Sequence, residues 1–185
     1  STTPRERGEV LRGTYQALTD NRDELALLMT LEMGKSLKES QGEVAYAAEF
    51  FRWFSEEAVR IDGRVAAEPN GRGRINVTHH PVGPCYLITP WNFPLAMAAR
   101  KIGPAVAAGC TMVVKPAGLT PLCTLAVARI LTDAGLPPGV LNVVTGHDRE
   151  MSGLIDNPDI AKVCFTGSVN GGKRIMEMAS RSLTR

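Results

Sequence analysis

The stretch Thr89-Pro90-Trp91-Asn92-Phe93-Pro94 decides how this chain of 185 residues is read. Before it, Pro84-Cys85-Tyr86-Leu87-Ile88 is a short apolar run with the character of a buried strand. After it, the alanine-rich segment from Leu95 to Ala108 reads as a helix, with Gly103-Pro104 as a site for a kink. Two prolines bracket Trp91-Asn92-Phe93, and each fixes its own φ and pushes the residue before it toward extended backbone. The strand-to-helix turn is therefore stiff. It holds the Asn92 carboxamide at the carboxyl end of a strand, where open α/β sheets bind their ligands. An amide NH2 on a rigid mount can donate to a developing oxyanion. The same spacing also suits a structural turn with a packed Trp.

Working outward, strands alternate with helices from residue 83 on. Strands are expected at Cys85 to Ile88, Thr111 to Lys115, Leu141 to Val144 and Lys162 to Phe165. Helices are expected at Leu95 to Ala108, Leu122 to Ala134, Asp148 to Ile155 and Gly172 to Ala179. This order implies βαβ units and an α/β fold with a mostly parallel sheet flanked by helices. Three helices open the chain. Thr3, Pro4 and Glu6 form a capping-box start; Asn21 with Glu24 repeats the pattern before a helix stopped by Gly34; Ser36 with Glu39 starts a longer one ending near Asp62-Gly63. Phe50, Phe51, Trp53 and Phe54 fall at helical spacing, as core or subunit contact. Gly63 to Gly73 is polar, and Arg74 to His80 alternates as a half-exposed strand. Adjacent His79 and His80 point to opposite faces of such a strand, and no further ligand follows at metal-binding spacing, so no metal is expected.

Two loops carry further chemistry. Lys115 ends the apolar run Met112-Val113-Val114 and is followed by Pro116, so it should emerge at the carboxyl edge of the sheet, or snorkel there. Phe165-Thr166-Gly167-Ser168-Val169-Asn170-Gly171-Gly172-Lys173 joins a strand to a helix, and its small residues let backbone N–H groups approach a pyrophosphate. Gly167, Gly172 and Lys173 come close to a triphosphate-binding P-loop, but Arg174 stands where a Ser or Thr must hold Mg²⁺. A nucleotide-binding module without catalysis is the alternative reading of this run.

Together, Thr89 to Pro94, Lys115-Pro116-Ala117 and Phe165-Thr166-Gly167-Ser168 resemble, in that order, three blocks of the aldehyde dehydrogenase superfamily. Arg100-Lys101 and Ala107-Ala108-Gly109-Cys110-Thr111-Met112 resemble its succinate-semialdehyde dehydrogenase branch. The resemblance implies a Rossmann-like NAD(P)-binding domain at 83–185, an N-terminal helical part of the same domain at 1–62, and the start of an oligomerisation β-hairpin at 63–82. It implies NADP or NAD as cofactor, held by Thr89, Pro90, Trp91, Lys115, Ala117, Gly118, Gly146, Phe165, Thr166, Gly167, Ser168 and Gly172. It makes Asn92 the catalytic oxyanion donor, and Arg100 the group facing the distal carboxylate of succinic semialdehyde, which a guanidinium can grip bidentately. NAD-selective members often carry a glutamate where this chain has Gly118; without that carboxylate the site tolerates a 2′-phosphate, with Lys115 as counter-charge. The complete enzyme is expected to be a homodimer or homotetramer.

The family's reaction needs a cysteine nucleophile and a glutamate base. Cys85, Cys110, Cys123 and Cys164 lie in or beside strands or at a helix start, and no Glu-Leu-Gly-Gly block occurs. The chain is accordingly expected to be the N-terminal portion of an NAD(P)+-dependent aldehyde dehydrogenase, inactive alone. The cysteines read as buried thiols of a cytoplasmic protein. A net charge of +2 gives no reason to expect nucleic acid or an anionic membrane as partner, and no apolar run is long enough to span a bilayer.

Overall fold

Cys85–Ile88 is strand β3, and it lies inside a four-stranded parallel sheet. A computed structural model describes residues 2–185, with Asp148 described by its backbone alone. The elements run α1 (Pro4–Asp20), α2 (Arg22–Met33), α3 (Leu37–Glu57), β1 (Arg64–Ala67), β2 (Arg74–Val77), β3, α4 (Ala96–Ala108), β4 (Met112–Lys115), α5 (Leu122–Asp133), β5 (Leu141–Val143), α6 (Asp148–Met151) with a 3-10 turn (Ser152–Leu154), β6 (Lys162–Phe165) and α7 (Val169–Ala179). The sheet order is β5-β4-β3-β6. The chain steps outward from β3 to β4 to β5, then returns to the other side of β3, so the order reverses between β3 and β6.

Successive residues of a strand face opposite sides, and the two sides have different partners. Cys85, Leu87, Met112 and Val114 pack with α4, α5 and the N-terminal helices in the main core. Tyr86, Ile88, Val113 and Val163 pack with Ile155, Ile160, Ile175 and Met178 in a second, smaller core. Helices therefore cover both faces, as a parallel sheet requires. α3 packs against α1, α2 and α4, so the N-terminal helices lie behind one face. At Gly8 a Cβ would lie 2.8 Å from the Ser55 carbonyl oxygen, and at Gly103 one would lie 3.2 Å from Phe54. Both glycines let α3 approach a neighbouring helix closely.

Four expectations are corrected. Asn21 does not cap α2: its Nδ2 donates backward to the Ala17 carbonyl at 2.8 Å, because α1 runs into α2 through this single residue. α3 ends at Glu57, not near Asp62, where Ala58 is buried and the Arg60 N–H closes a turn onto Glu57. Arg74 to His80 is not a half-exposed strand; β2 covers only Arg74–Val77, is exposed throughout, and pairs antiparallel with β1, Arg64 opposite Val77. α7 begins at Val169 rather than Gly172, since Ser168 caps it by accepting the Gly171 N–H at 3.1 Å. The capping boxes of Thr3 with Glu6 and Ser36 with Glu39, and the left-handed stop at Gly34 (φ 81°), form as expected.

Gly8→Val should cost about 1–3 kcal/mol by overpacking the α1–α3 crossing, lowering Tm by roughly 2–10 °C. Gly13→Ala, whose Cβ meets only Ala134 at 3.6 Å, should leave the urea midpoint nearly unchanged.

Candidate cofactor and oxyanion site

The turn after β3 is held by more than its prolines. The Thr120 hydroxyl donates to the Trp91 carbonyl at 3.3 Å, and Lys35 Nζ donates to the Asn92 carbonyl at 3.1 Å. Met97 N–H donates to the Phe93 carbonyl at 3.0 Å, and the Thr124 hydroxyl to the Pro94 carbonyl at 3.2 Å. Neither α4 nor α5 has a side-chain cap of its own. Glu43 of α3 accepts the Leu95 and Ala96 N–H groups at 3.0 and 3.1 Å, and Glu32 of α2 accepts those of Leu122 and Cys123. Asn92 itself is exposed, and its carboxamide makes no hydrogen bond among the described residues.

The other expected residues meet this turn at one sheet edge. Ile88 of β3 is opposite Lys115 of β4 on one side and Phe165 of β6 on the other. Thr89 N–H donates to the Lys115 carbonyl and Thr166 N–H to the Ile88 carbonyl, both at 3.2 Å. The Asn92 turn, the Lys115-Pro116-Ala117-Gly118 loop and the Thr166-Gly167-Ser168 loop thus leave three adjacent strands at their carboxyl ends, across the point where strand order reverses. A cavity of about 410 Å³ opens there, lined by Ile88, Lys115, Phe165, Ile175, Arg149 and Arg174 among others. Of the expected residues, Lys115 and Phe165 line it; Thr89, Pro90, Trp91, Asn92, Ala117, Gly118, Gly146, Thr166, Gly167, Ser168 and Gly172 do not. Thr89 Oγ1 is buried with no hydrogen-bond partner among the described residues, an orphaned polar atom at the end of the central strand. An apolar cavity with cations on its walls suits a ligand with a flat base and anionic groups.

The glycines after β6 have another role than expected. A Cβ at Gly167 would fall 2.4 Å from Phe165 Cζ, and one at Gly171 would fall 3.0 Å from the same atom. The phenyl ring occupies the space those glycines leave. α7 already starts at Val169, so no phosphate-wrapping loop separates Gly167 from Gly172 and Lys173, and the P-loop reading finds no support. Arg100 is exposed on α4, its guanidinium 5.5 Å from the centre of the Phe50 ring, and it has no ion pair among the described residues.

Several residues around the site were given no site role from the sequence. Lys35, Glu43, Thr120 and Thr124 hold the turn; Arg149 and Arg174 line the cavity. Lys101, buried on α4, donates to Thr166 Oγ1 at 2.8 Å and to Cys164 Sγ at 3.2 Å, tying the helix after β3 to the end of β6. Glu43 left a trace: it interrupts the buried stripe Ser40, Val44, Ala47, Ala48, Phe51. Lys101 likewise sits among buried Ala98, Ala99 and Ile102.

Comparison with known proteins shows the family and the fold. The family model described as "Aldehyde dehydrogenase family" matches residues 1–185. The chain belongs to the aldehyde dehydrogenase family. This aldehyde dehydrogenase chain is 58% identical over 186 residues to a succinate-semialdehyde dehydrogenase of Paenarthrobacter nicotinovorans, covering 100% of the chain and 41% of the relative. It is 48% identical over 183 residues to an NADP(+) succinate-semialdehyde dehydrogenase of Schizosaccharomyces pombe, covering 98% of the chain and 37% of the relative. The crystal structure of an Escherichia coli NADP-dependent enzyme superposes with a TM-score of 0.97 at 45% identity, covering 100% of the chain and 38% of that structure. The aldehyde dehydrogenase chain therefore spans about two-fifths of the length of the curated relatives it matches.

All four cysteines are free thiols, Cys164 half-buried and the others buried. Burial pushes the Cys85 thiol up from 9.0 to about 11, with the neighbouring Cys110 thiol adding to the shift. Burial, then the hydrogen-bonded Glu32 carboxylate, pushes Cys123 higher still. Neither is a thiolate near neutral pH, so neither is a ready nucleophile. The unfolded thiols ionise near 9 while the folded ones stay protonated, so these groups leave stability unchanged below about pH 9 and erode it above. Urea midpoints should accordingly be lower at pH 10 than at pH 7.5, and the difference should shrink in Cys123→Ser. At pH 7.5 iodoacetamide should leave Cys85 and Cys123 unmodified in the native chain and modify both after unfolding.

Proposed function

We propose that this chain binds NADP or NAD at the carboxyl edge of its sheet and supplies the oxyanion donor of an enzyme that oxidises an aldehyde, succinic semialdehyde in our reading, to its carboxylic acid. The observation that carries the proposal is the convergence of the Asn92 turn, Lys115 and the Thr166–Ser168 loop at adjacent strand ends where the strand order reverses. The names of two similar proteins, one an NADP(+) succinate-semialdehyde dehydrogenase and one an NADP-dependent enzyme, support the cofactor and substrate class.

In this reading Thr89, Pro90, Trp91, Lys115, Ala117, Gly118, Gly146, Phe165, Thr166, Gly167, Ser168 and Gly172 surround the cofactor. The cofactor, when bound, accepts hydride at its nicotinamide ring. Lys115 neutralises phosphate charge beside a Gly118 that brings no carboxylate. Asn92 donates from its carboxamide to the oxygen of the aldehyde carbon as negative charge builds there. Arg100 pairs with the distal carboxylate of the substrate, its plane supported by the Phe50 ring. Cys85 and Cys123 are held as thiols, and the nucleophile is assigned to none of the four cysteines. The 185 residues alone therefore bind cofactor without oxidising aldehyde. We further infer that residues 1–62 and 83–185 form one cofactor-binding domain, and that the exposed hairpin within 63–82 contributes to a homodimer or homotetramer. Among the described residues no helix is long and apolar enough to cross a membrane. Four free thiols favour a reducing, cytoplasmic setting.

Titration of the chain with each cofactor should give a Kd for NADP no weaker than that for NAD; a clear NAD preference would remove the role given to Lys115 and Gly118. Activity is best read in a chimera in which this chain replaces the matched segment of the Paenarthrobacter enzyme. There Asn92→Ala should lower kcat about 10²–10³-fold. Arg100→Ala should raise KM for succinic semialdehyde about tenfold or more, in line with the loss of a charge-assisted hydrogen bond, and leave KM for an uncharged aldehyde nearly unchanged. Equal effects on both aldehydes would remove Arg100 from substrate recognition.

A further inference from the structure

We propose that Lys35 and Glu43 act together as a positioning pair that aims the Asn92 carboxamide, an inference that rests on the oxyanion role given to Asn92 above. The two form an ion pair whose side chains are 11% and 1% exposed. Taking both charges out of water costs several kcal/mol, and apolar residues of similar size pack helices as well or better. Glu43 sits on the buried stripe of α3, where Val44, Ala47 and Phe51 serve packing alone. What the ion pair adds is its set of contacts, and these converge on the turn before α4.

Glu43 Oε1 takes the Leu95 and Ala96 N–H groups, two of the donors that a helix start leaves without intrahelical partners. Lys35 Nζ gives one hydrogen bond to Glu43 and one to the Asn92 carbonyl, and lies 4.2 Å from the centre of the Phe93 ring. Backbone is thus fixed at residue 92 by the cation and at 95 and 96 by the anion. Pro94 fixes its own φ between them. The Cα–Cβ bond that carries the Asn92 carboxamide therefore leaves the turn in one direction.

The mount of the pair is itself rigid. Lys35 lies between Gly34, the left-handed stop of α2, and Ser36, the N-cap of α3. A lysine on a loop pinned at both ends loses less entropy in holding one position. An oxyanion donor displaced by about 1 Å loses about a hundredfold in rate, so the pair acts on kcat through Asn92 without touching substrate.

The test uses ¹⁵N NMR and amide exchange on the chain, with kcat and cofactor Kd in the chimera described above, for Lys35→Met, Glu43→Ala, Lys35→Met/Glu43→Gln and Lys35→Arg. Glu43→Ala should speed exchange at Leu95 and Ala96 at least tenfold while Val113 and Val114 in β4 stay protected. Lys35→Met should shift the backbone amide signals of Asn92 and Phe93, which flank the carbonyl that the lysine holds. The neutral double variant removes the stranded carboxylate, so it should regain stability over Lys35→Met, yet keep the shifted Asn92 signals and a kcat lowered at least tenfold with an unchanged Kd for NADP. Lys35→Arg should recover part of that kcat. If Lys35→Met exposes all amides to exchange, the double variant alone decides. Unmoved Asn92 signals in the double variant, or a normal kcat there while Asn92→Ala is impaired, would overturn the proposal. A loosened turn with normal kcat in both the pair variants and Asn92→Ala would uphold the positioning and sink the oxyanion reading instead.

Discussion

The carboxylate of Glu43 is where the two parts of this chain are joined. α4 starts without a cap of its own, and the charge that satisfies its first N–H groups comes from a helix more than fifty residues earlier. Glu32 does the same for α5. A negative group at a helix N-terminus is favoured both by the orphan donors and by the helix dipole. Here that preference is met between elements, so the N-terminal helices form part of the sheet's supporting layer. The helices that α2 and α3 cap are the ones that follow β3 and β4, and the loops leading into them carry Asn92 and Lys115. Capping of these helices and placement of the proposed site therefore share the same few contacts.

The sheet supplies the other half of the geometry. Because β6 returns to the far side of β3, the loop after β6 meets the turn after β3 across a reversal in strand order. Lys101 spans that reversal on one side of the sheet, from α4 to Thr166. Phe165 closes over the glycines on the other. These contacts set the walls of the crevice on both faces of the sheet.

Local pattern carried much of this in the sequence. The short runs Cys85–Ile88 and Lys162–Phe165 are strands over the expected residues, the first buried in the middle of the sheet and the second half-buried at its edge. The capping boxes at Thr3 and Ser36 were legible because donor and acceptor are three residues apart. The family blocks around Asn92, Lys115 and Thr166 marked the sheet edge. What stayed hidden was non-local or locally contradictory. β1 is four residues, three of them exposed and Ala66 half-buried, without apolar alternation. α7 starts through Asn170-Gly171-Gly172, poor helix formers that the Ser168 cap overrides. Lys101 meets its partners 63 and 65 residues away, and no local rule pairs them. Gly167 has the look of a ligand cradle, but it makes room for the ring two residues before it.

The central claim is that one edge of the sheet gathers the turn after β3, the loop after β4 and the loop after β6 into a single dinucleotide site. The most direct measurement is NMR mapping of the ¹⁵N-labelled chain as NADP is added to saturation. The account predicts that amides of residues 89–93, 115–118 and 165–172 shift together on one binding curve while those of α1 stay in place. Saturation that leaves these three segments unmoved, or moves only one of them, would contradict it.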